Sequence, residues 1–132
     1  TISGQVTRVG TTAIDDGLVE PVLNNAPNAL VRFAGPNPTM IDVSYPSPRP
    51  VSGIRLVLGA GMWKVTAHLY GQGTGATLDV TGTGEQDGPN SVVNLTIGGT
   101  PFQAQRIVYE ILQPNATEDD STVHLYSVDV RP

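Results

Sequence analysis

The sequence predicts an all-β fold, an antiparallel β-sandwich. Three observations lead there. Short segments alternate apolar and polar residues at a period of two. In Trp63–Tyr70, for example, Trp63, Val65, Ala67 and Leu69 share one face and Lys64, Thr66, His68 and Tyr70 the other, as in a half-buried strand. Such segments recur along the chain between connections rich in Ser, Thr, Gly, Pro and Asn, the organisation of an antiparallel sandwich. No segment carries a convincing helical period.

Residues 1–10 read as a first strand, and residues 11–28 as one long connection holding Asp15-Asp16-Gly17, Glu20-Pro21, Asn24-Asn25 and Pro27. Connections of that length inside a compact domain tend to be functional when ordered. Residues 30–33 form a short strand. Residues 40–45 alternate, with Ile41, Val43 and Tyr45 on one face, and Pro46, Pro48 and Pro50 are expected to end them, because proline donates nothing to a ladder. Strands follow at 51–58 and 63–70, with Gly59-Ala60-Gly61 as the tight link between them. Gly71, Gly73 and Gly75 mark a turn into a short strand at 76–80, and residues 82–90 read as a polar loop. Residues 91–97 and 106–112 alternate again. In the last strand, 122–130, Val123 and Leu125 have one parity and Val128 and Val130 the other. A β-bulge near Tyr126-Ser127 would return both sets to the core. Ile54, Leu56, Val65, Leu69, Val93, Leu95, Ile107 and Ile111 are the expected core.

The chain of 132 residues is the size of one domain, residues 1–132, and long enough to bury a core without disulfides. It has no cysteine, which is compatible with either redox compartment. The formal net charge is −5, Lys64 is the only lysine, and the six arginines are scattered. A phosphate backbone or an anionic bilayer is gripped by clustered Lys and Arg, so neither nucleic acid nor a membrane is an expected partner. No apolar run approaches the roughly 18 residues that span a bilayer. A start at Thr1 and a surface of Ser, Thr, Asn and Gln suggest a module from a larger secreted protein, extracellular or at a cell surface, bacterial in type, with neighbouring domains.

Five stretches in this order resemble the galactose-binding-like jelly roll of discoidin and coagulation-factor C-type domains and of the family-32 carbohydrate-binding modules. They are Ala13-Ile14-Asp15-Asp16-Gly17, Val51-Ser52-Gly53-Ile54-Arg55-Leu56, residues 65–73, Ala104-Gln105-Arg106-Ile107-Val108-Tyr109 and Leu125-Tyr126-Ser127-Val128-Asp129-Val130. The resemblance covers about residues 11–130. It implies a sandwich that binds carbohydrate with its end loops and, in many members, a structural calcium held in the Asp-containing loop and completed near the final strand. By the resemblance Asp15 or Asp16 would be the side-chain ligand here, and Ser127 stands where the family places a Glu. Calcium takes six to eight oxygens. The plain alternative is a turn in which Asp bonds its own backbone.

By the same resemblance, the ligand end is built from residues 15–28, 59–62 and 113–120. Asn24, Asn25, Asn115 and Asp119 are the polar candidates there, since amides and carboxylates suit sugar hydroxyls. Trp63 borders the short loop and is a candidate platform for a sugar ring. Its parity with Val65 and Leu69 offers core packing instead. Tyr70 and His68 lie on the polar parity, as a binding face or a solvated one. No Gly-x-Ser-x-Gly or His-Glu-x-x-His motif is present, and two histidines without cysteine make a poor zinc set. The expectation is therefore a noncatalytic carbohydrate-binding module, not an enzyme. The alternative is a structural or adhesion module of the same fold that binds protein or positions neighbouring domains.

Overall fold

The computed structural model describes residues 5–9, 15–16, 31–35, 39–59, 61–71, 75–84, 86–87, 90–114 and 121–132, with residues 5–35, 46, 86–87 and 121–123 described by backbone alone. The elements are β1 (Gln5–Val9), β2 (Asp15–Asp16), β3 (Val31–Gly35), β4 (Thr39–Val51), β5 (Gly53–Gly59), β6 (Trp63–Tyr70), β7 (Thr77–Gly84), β8 (Gln86–Asp87), β9 (Asn90–Thr96), β10 (Phe102–Leu112) and β11 (Ser121–Arg131). Among the described residues there is no helix. One sheet runs β1-β4-β10-β6-β7 and the other β2-β3-β11-β5-β9-β8. Every pairing is antiparallel. The two sheets face each other as a jelly roll.

The core is the set of inward residues of both sheets. Ile54, Leu56, Val65, Leu69, Val93, Leu95, Ile107 and Ile111 are all buried, together with Ile41, Val43, Leu58, Tyr109 and Leu125. Two strands change phase part-way to keep this core continuous. In β11, Leu125 pairs with Leu58 and Ser127 with Val57, so Tyr126 is an extra residue. Leu125 and Val128 are consequently both buried, although their parities differ. In β10 the shift falls at Gln105, between Ala104 and Arg106. Ala104 is therefore buried, and so are Ile107, Tyr109 and Ile111. A bulge does this by adding one residue to one side of a pair and bending the strand.

Three expectations about the elements are corrected. The prolines do not end β4, which continues to Val51. They are tolerated because, among the described residues, β1 pairs with residues 40–44 and the ladder to β10 skips from Ser44 to Arg49. Pro46 and Pro48 thus sit where no ladder donor is needed. The connection after β1 is not continuous either, since Asp15 and Asp16 pair with Phe33 and Arg32 as a short edge strand. The short strand expected at 76–80 is also longer, because β7 runs on to Gly84, and β8 follows it.

Glycine makes the extended β7 possible. A Cβ at Gly82 would lie 2.7 Å from the Asn94 carbonyl oxygen, and one at Gly84 would lie 2.6 Å from that of Val92. The two sheets therefore close on each other at β7 and β9, with backbone against backbone. We expect Gly84→Ala to lower stability by about 1–3 kcal/mol through overpacking. Gly98→Ala, whose Cβ would meet nothing within 4 Å, should stay within about 0.5 kcal/mol. Urea denaturation of the two variants separates the outcomes, and equal effects would contradict the close approach.

Two tyrosines carry hydroxyls into this core. Burial pushes the Tyr109 hydroxyl well above its usual range, and the neighbouring Tyr45 adds to the effect. Burial also raises Tyr45, against the pull of Arg49, whose guanidinium lies 5.1 Å from the centre of the Tyr45 ring. The folded chain keeps these protons past the pH, about 10, at which an unfolded tyrosine loses them. The unfolded chain then binds fewer protons, so stability falls as pH rises. Denaturant stability should be level up to about pH 9 and decline above about pH 10, and Tyr109→Phe should make the decline shallower. A stability that rises through that range would contradict the assignment.

Candidate functional site

The register defines the two ends of the sandwich. At one end Ile111 pairs with Thr39, Leu112 with Lys64 and Trp63 with Gly84. In the facing sheet, Gly59 pairs with Asn90 and Ser121 with Gly35 at that same end. The connections β3–β4, β5–β6, β7–β8, β8–β9 and β10–β11 therefore all leave from it. The opposite end carries the β4–β5, β6–β7 and β9–β10 connections. There Ser52 donates its amide to the Arg131 carbonyl at 2.8 Å, while its own carbonyl accepts from the Ile97 amide at 2.9 Å.

Residues 59–62, linking β5 in one sheet to β6 in the other, sit within the first end and are fixed from two sides. The Trp63 indole Nε1–H donates to the Gly59 carbonyl at 2.8 Å. The Ser91 hydroxyl, at the start of β9, donates to the Gly61 carbonyl at 2.7 Å. Gly61 has φ of 142°, a conformation that residues with a side chain rarely adopt. Gly59 leaves room for His124, since a Cβ there would come within 3.0 Å of the His124 Cβ.

The residues expected to bind ligand fare differently. Asn24, Asn25, Asn115 and Asp119 lie outside the described residues. The end of 59–62 and the start of 113–120 do come together, with Gln113 following the Leu112–Lys64 pair. Trp63 is corrected as a platform, being 2% exposed and packed in the core. Its ring points inward with Val65, and its one polar atom is satisfied by the backbone, as a buried indole requires. The residue that the same corner leaves outside is Met62, at 48% exposure. Sequence parity missed it because Met62 lies in a loop, where period carries no information.

For the metal candidates, backbone register places Asp16 opposite Arg32, which lies opposite His124. Ser127 is three residues further along β11, about 10 Å at strand rise. It is buried at 9% exposure and brings a hydroxyl where the resemblance expected a carboxylate. Asp16 and Ser127 therefore do not fit a single ion as a pair. The described residues hold no group of three His, Asp or Glu able to bind a metal.

His68 and Tyr70 are committed to partners on the outer face of their sheet. His68 Nδ1 is 2.9 Å from Asp79 Oδ1, and its Nε2 is 3.8 Å from Glu110 Oε2. Arg106 donates through Nε and Nη2 to the two oxygens of Asp42 at 2.9 and 2.7 Å. Those bonds raise the Arg106 pKa further. The same guanidinium lies 5.2 Å from the centre of the Tyr70 ring and covers it. This is a cross-strand polar network on a solvated face.

No family model and no curated protein matches the sequence. Solved structures do match it. The family-32 carbohydrate-binding module of NanJ from Clostridium perfringens, in complex with galactose, is 17% identical with a TM-score of 0.66, over 95% of this chain and 92% of that one. The family-32 module of AlyQ, in complex with 4,5-unsaturated mannuronic acid, is 14% identical with a TM-score of 0.66, over 96% and 93%. A further C. perfringens module, in complex with GlcNAc-α-1,4-galactose, is 10% identical with a TM-score of 0.63, over 98% and 90%. The chain therefore has the galactose-binding-like jelly-roll fold of the family-32 modules.

The placement of Trp63 is open to a direct check. Trp63→Phe keeps most of the buried ring and strands the Gly59 carbonyl, which should cost about 1–3 kcal/mol. Trp63→Ala should cost more, about 3–5 kcal/mol. The emission of this single tryptophan should be blue-shifted and resistant to acrylamide. Red-shifted, readily quenched emission would show a ring facing water.

Proposed function

We propose that this protein is a noncatalytic carbohydrate-binding module whose ligand end is the one that carries the β5–β6 and β10–β11 connections. The observation that carries the proposal is likeness along nearly the whole length to modules solved with sugars bound, galactose, an unsaturated mannuronic acid and GlcNAc-α-1,4-galactose. The composition of that end supports it. Residues 113–120 are Gln-Pro-Asn-Ala-Thr-Glu-Asp-Asp, and the segment between β7 and β9 contains Glu85 and Asp87. Amides accept and donate, and carboxylates accept, so such a rim matches hydroxyls in both senses. The residues proposed to bind ligand are Asn115 and Asp119, in the sequence between β10 and β11, and Asn24 and Asn25, in the sequence between β2 and β3.

Weak affinity from one shallow site is the expected regime, raised in a parent protein by tethering, which acts through effective concentration. The natural setting is an extracellular or cell-surface protein with further domains. Calcium bound by Asp15 or Asp16 would act as a clamp on the β2 edge, not as a reactant.

A glycan array run in calcium and in excess chelator, followed by calorimetry on the hits, tests both parts. We expect millimolar to micromolar binding of simple saccharides. If calcium is held, chelator should lower the melting temperature and calcium should restore it, because a ligand of the folded state stabilises by mass action. No binding across the array at millimolar sugar would overturn the carbohydrate proposal in favour of a structural or adhesion module. A melting curve indifferent to chelator and to calcium would remove the metal.

A further inference from the structure

We propose that the outer face of the six-stranded sheet carries a second saccharide site, an apolar row of Tyr126, Val57 and Val92 with Arg55 beside it, and that it takes sugars bearing a carboxylate. This rests on the carbohydrate reading above and adds to it a surface away from the end connections.

The row comes from register. Ile54, Leu56 and Leu58 of β5 are buried, and so are Val93 and Leu95 of β9. The residues between them face outward. Val57 of β5 pairs with Val92 of β9, and Arg55 with Asn94. On β11 the extra residue puts both Tyr126 and Ser127 opposite Val57, between buried Leu125 and buried Val128. Both therefore fall on the outer side. Tyr126, Val57 and Val92 are each half-buried there. Three adjacent strands thus carry one apolar row across the sheet, about 10 Å long at the spacing of strands. A solvated outer face ordinarily alternates to polar residues, and a bulge is a common means of re-aiming a side chain at a site.

The second observation is a cation. Arg55 and Asn94 form the next row, two residues from Val57 and Val92, about 6.6 Å along the strands. Asp129 pairs directly with Arg55, the natural position for a cross-strand ion pair. Its carboxylate is taken by Arg131 instead, whose Nε donates to Oδ2 at 3.0 Å. Among the described residues no carboxylate forms an ion pair with Arg55, although Arg55 is half-buried on the face.

Sugar chemistry joins the two. A pyranose has an apolar C–H face and a rim of oxygens. A tyrosine ring beside two valines offers the first a broad apolar bed, and Asn94 both donates to and accepts from hydroxyls. A uronate adds a planar carboxylate to the rim, which a guanidinium grips with two parallel N–H···O bonds. The carboxylate reaches Arg55 from the side of Asn94, because Asp129 holds the other side.

The test is amide NMR of the whole chain, titrated with trigalacturonate and with its fully methyl-esterified form, which keeps the skeleton and removes the charge. The expected result is movement of the Arg55, Val57, Val92, Asn94 and Tyr126 amides, and about tenfold tighter binding of the acid than of the ester. Arg55→Gln should bring that ratio to about one with the rest of the spectrum preserved, and Arg55→Lys should keep part of it, as a point charge without the fork. Tyr126→Ala should weaken both ligands. Binding that moves Met62 and Gln113 but none of the five face amides would overturn the second site and leave the carbohydrate proposal standing. An ester bound as tightly as the acid, or an acid preference that survives Arg55→Gln, would overturn the role of Arg55. Failure of both ligands to bind at millimolar concentration, in a protein with a folded amide spectrum, would overturn the second site, and the glycan array decides the end site separately.

Discussion

The indole of Trp63 joins the two sheets at the end where β5 passes into β6. Its ring fills the core at the first residue of β6, and its N–H is taken by Gly59, the last residue of β5 in the opposite sheet. A sandwich has little covalent control over how its sheets are placed at their rims. Here one side chain supplies both the apolar contact and the polar tie, across a link of three residues. The Ser91 bond to Gly61 adds β9 to the same corner.

The same demand for closure explains the irregular strands. Closing sheets of unequal strand count forces long strands to bend, and bending in a sheet is done by bulges and glycine. The extra residue at Tyr126 and the shift at Gln105 lie on β11 and β10, each of which sits between partners on both sides. Gly82 and Gly84 serve at the margin, where β7 comes down on β9. Each device keeps inward positions apolar while the backbone changes course.

Much of this was legible in the sequence. Parity identified the eight core positions, and the parity break in the last strand located its bulge, because both are local properties of a period-two pattern. The prolines of β4 misled for a physical reason. Whether a proline is tolerated depends on whether a neighbour asks for its donor, and the missing partner opposite residues 45–48 is a fact about β10. Gly82 and Gly84 looked like loop residues for a similar reason, since their use lies in the approach of Asn94 and Val92 from the other sheet. Family likeness offered Trp63 as a platform for a sugar ring, and the structure buries it. Alternation already placed Trp63 with Val65 and Leu69, whereas nothing periodic could mark Met62.

The phase changes in β10 and β11 bear on how sequence variation in this chain should be read. Along β10 the inward residues are even-numbered up to Ala104 and odd-numbered from Ile107. Along β11 they are odd-numbered at Leu125 and even-numbered at Val128. A saturation library over these strands would therefore show its intolerant stripe switching columns at 105 and again at 126. A single-residue deletion at either place would remove the change of parity and leave the same residues inward, whereas a deletion elsewhere in the strand would turn what lies beyond it to the other face. A substitution at the same place would leave that frame intact. The two strands thus have punctuation, and their length away from it is under tighter control than their length at it.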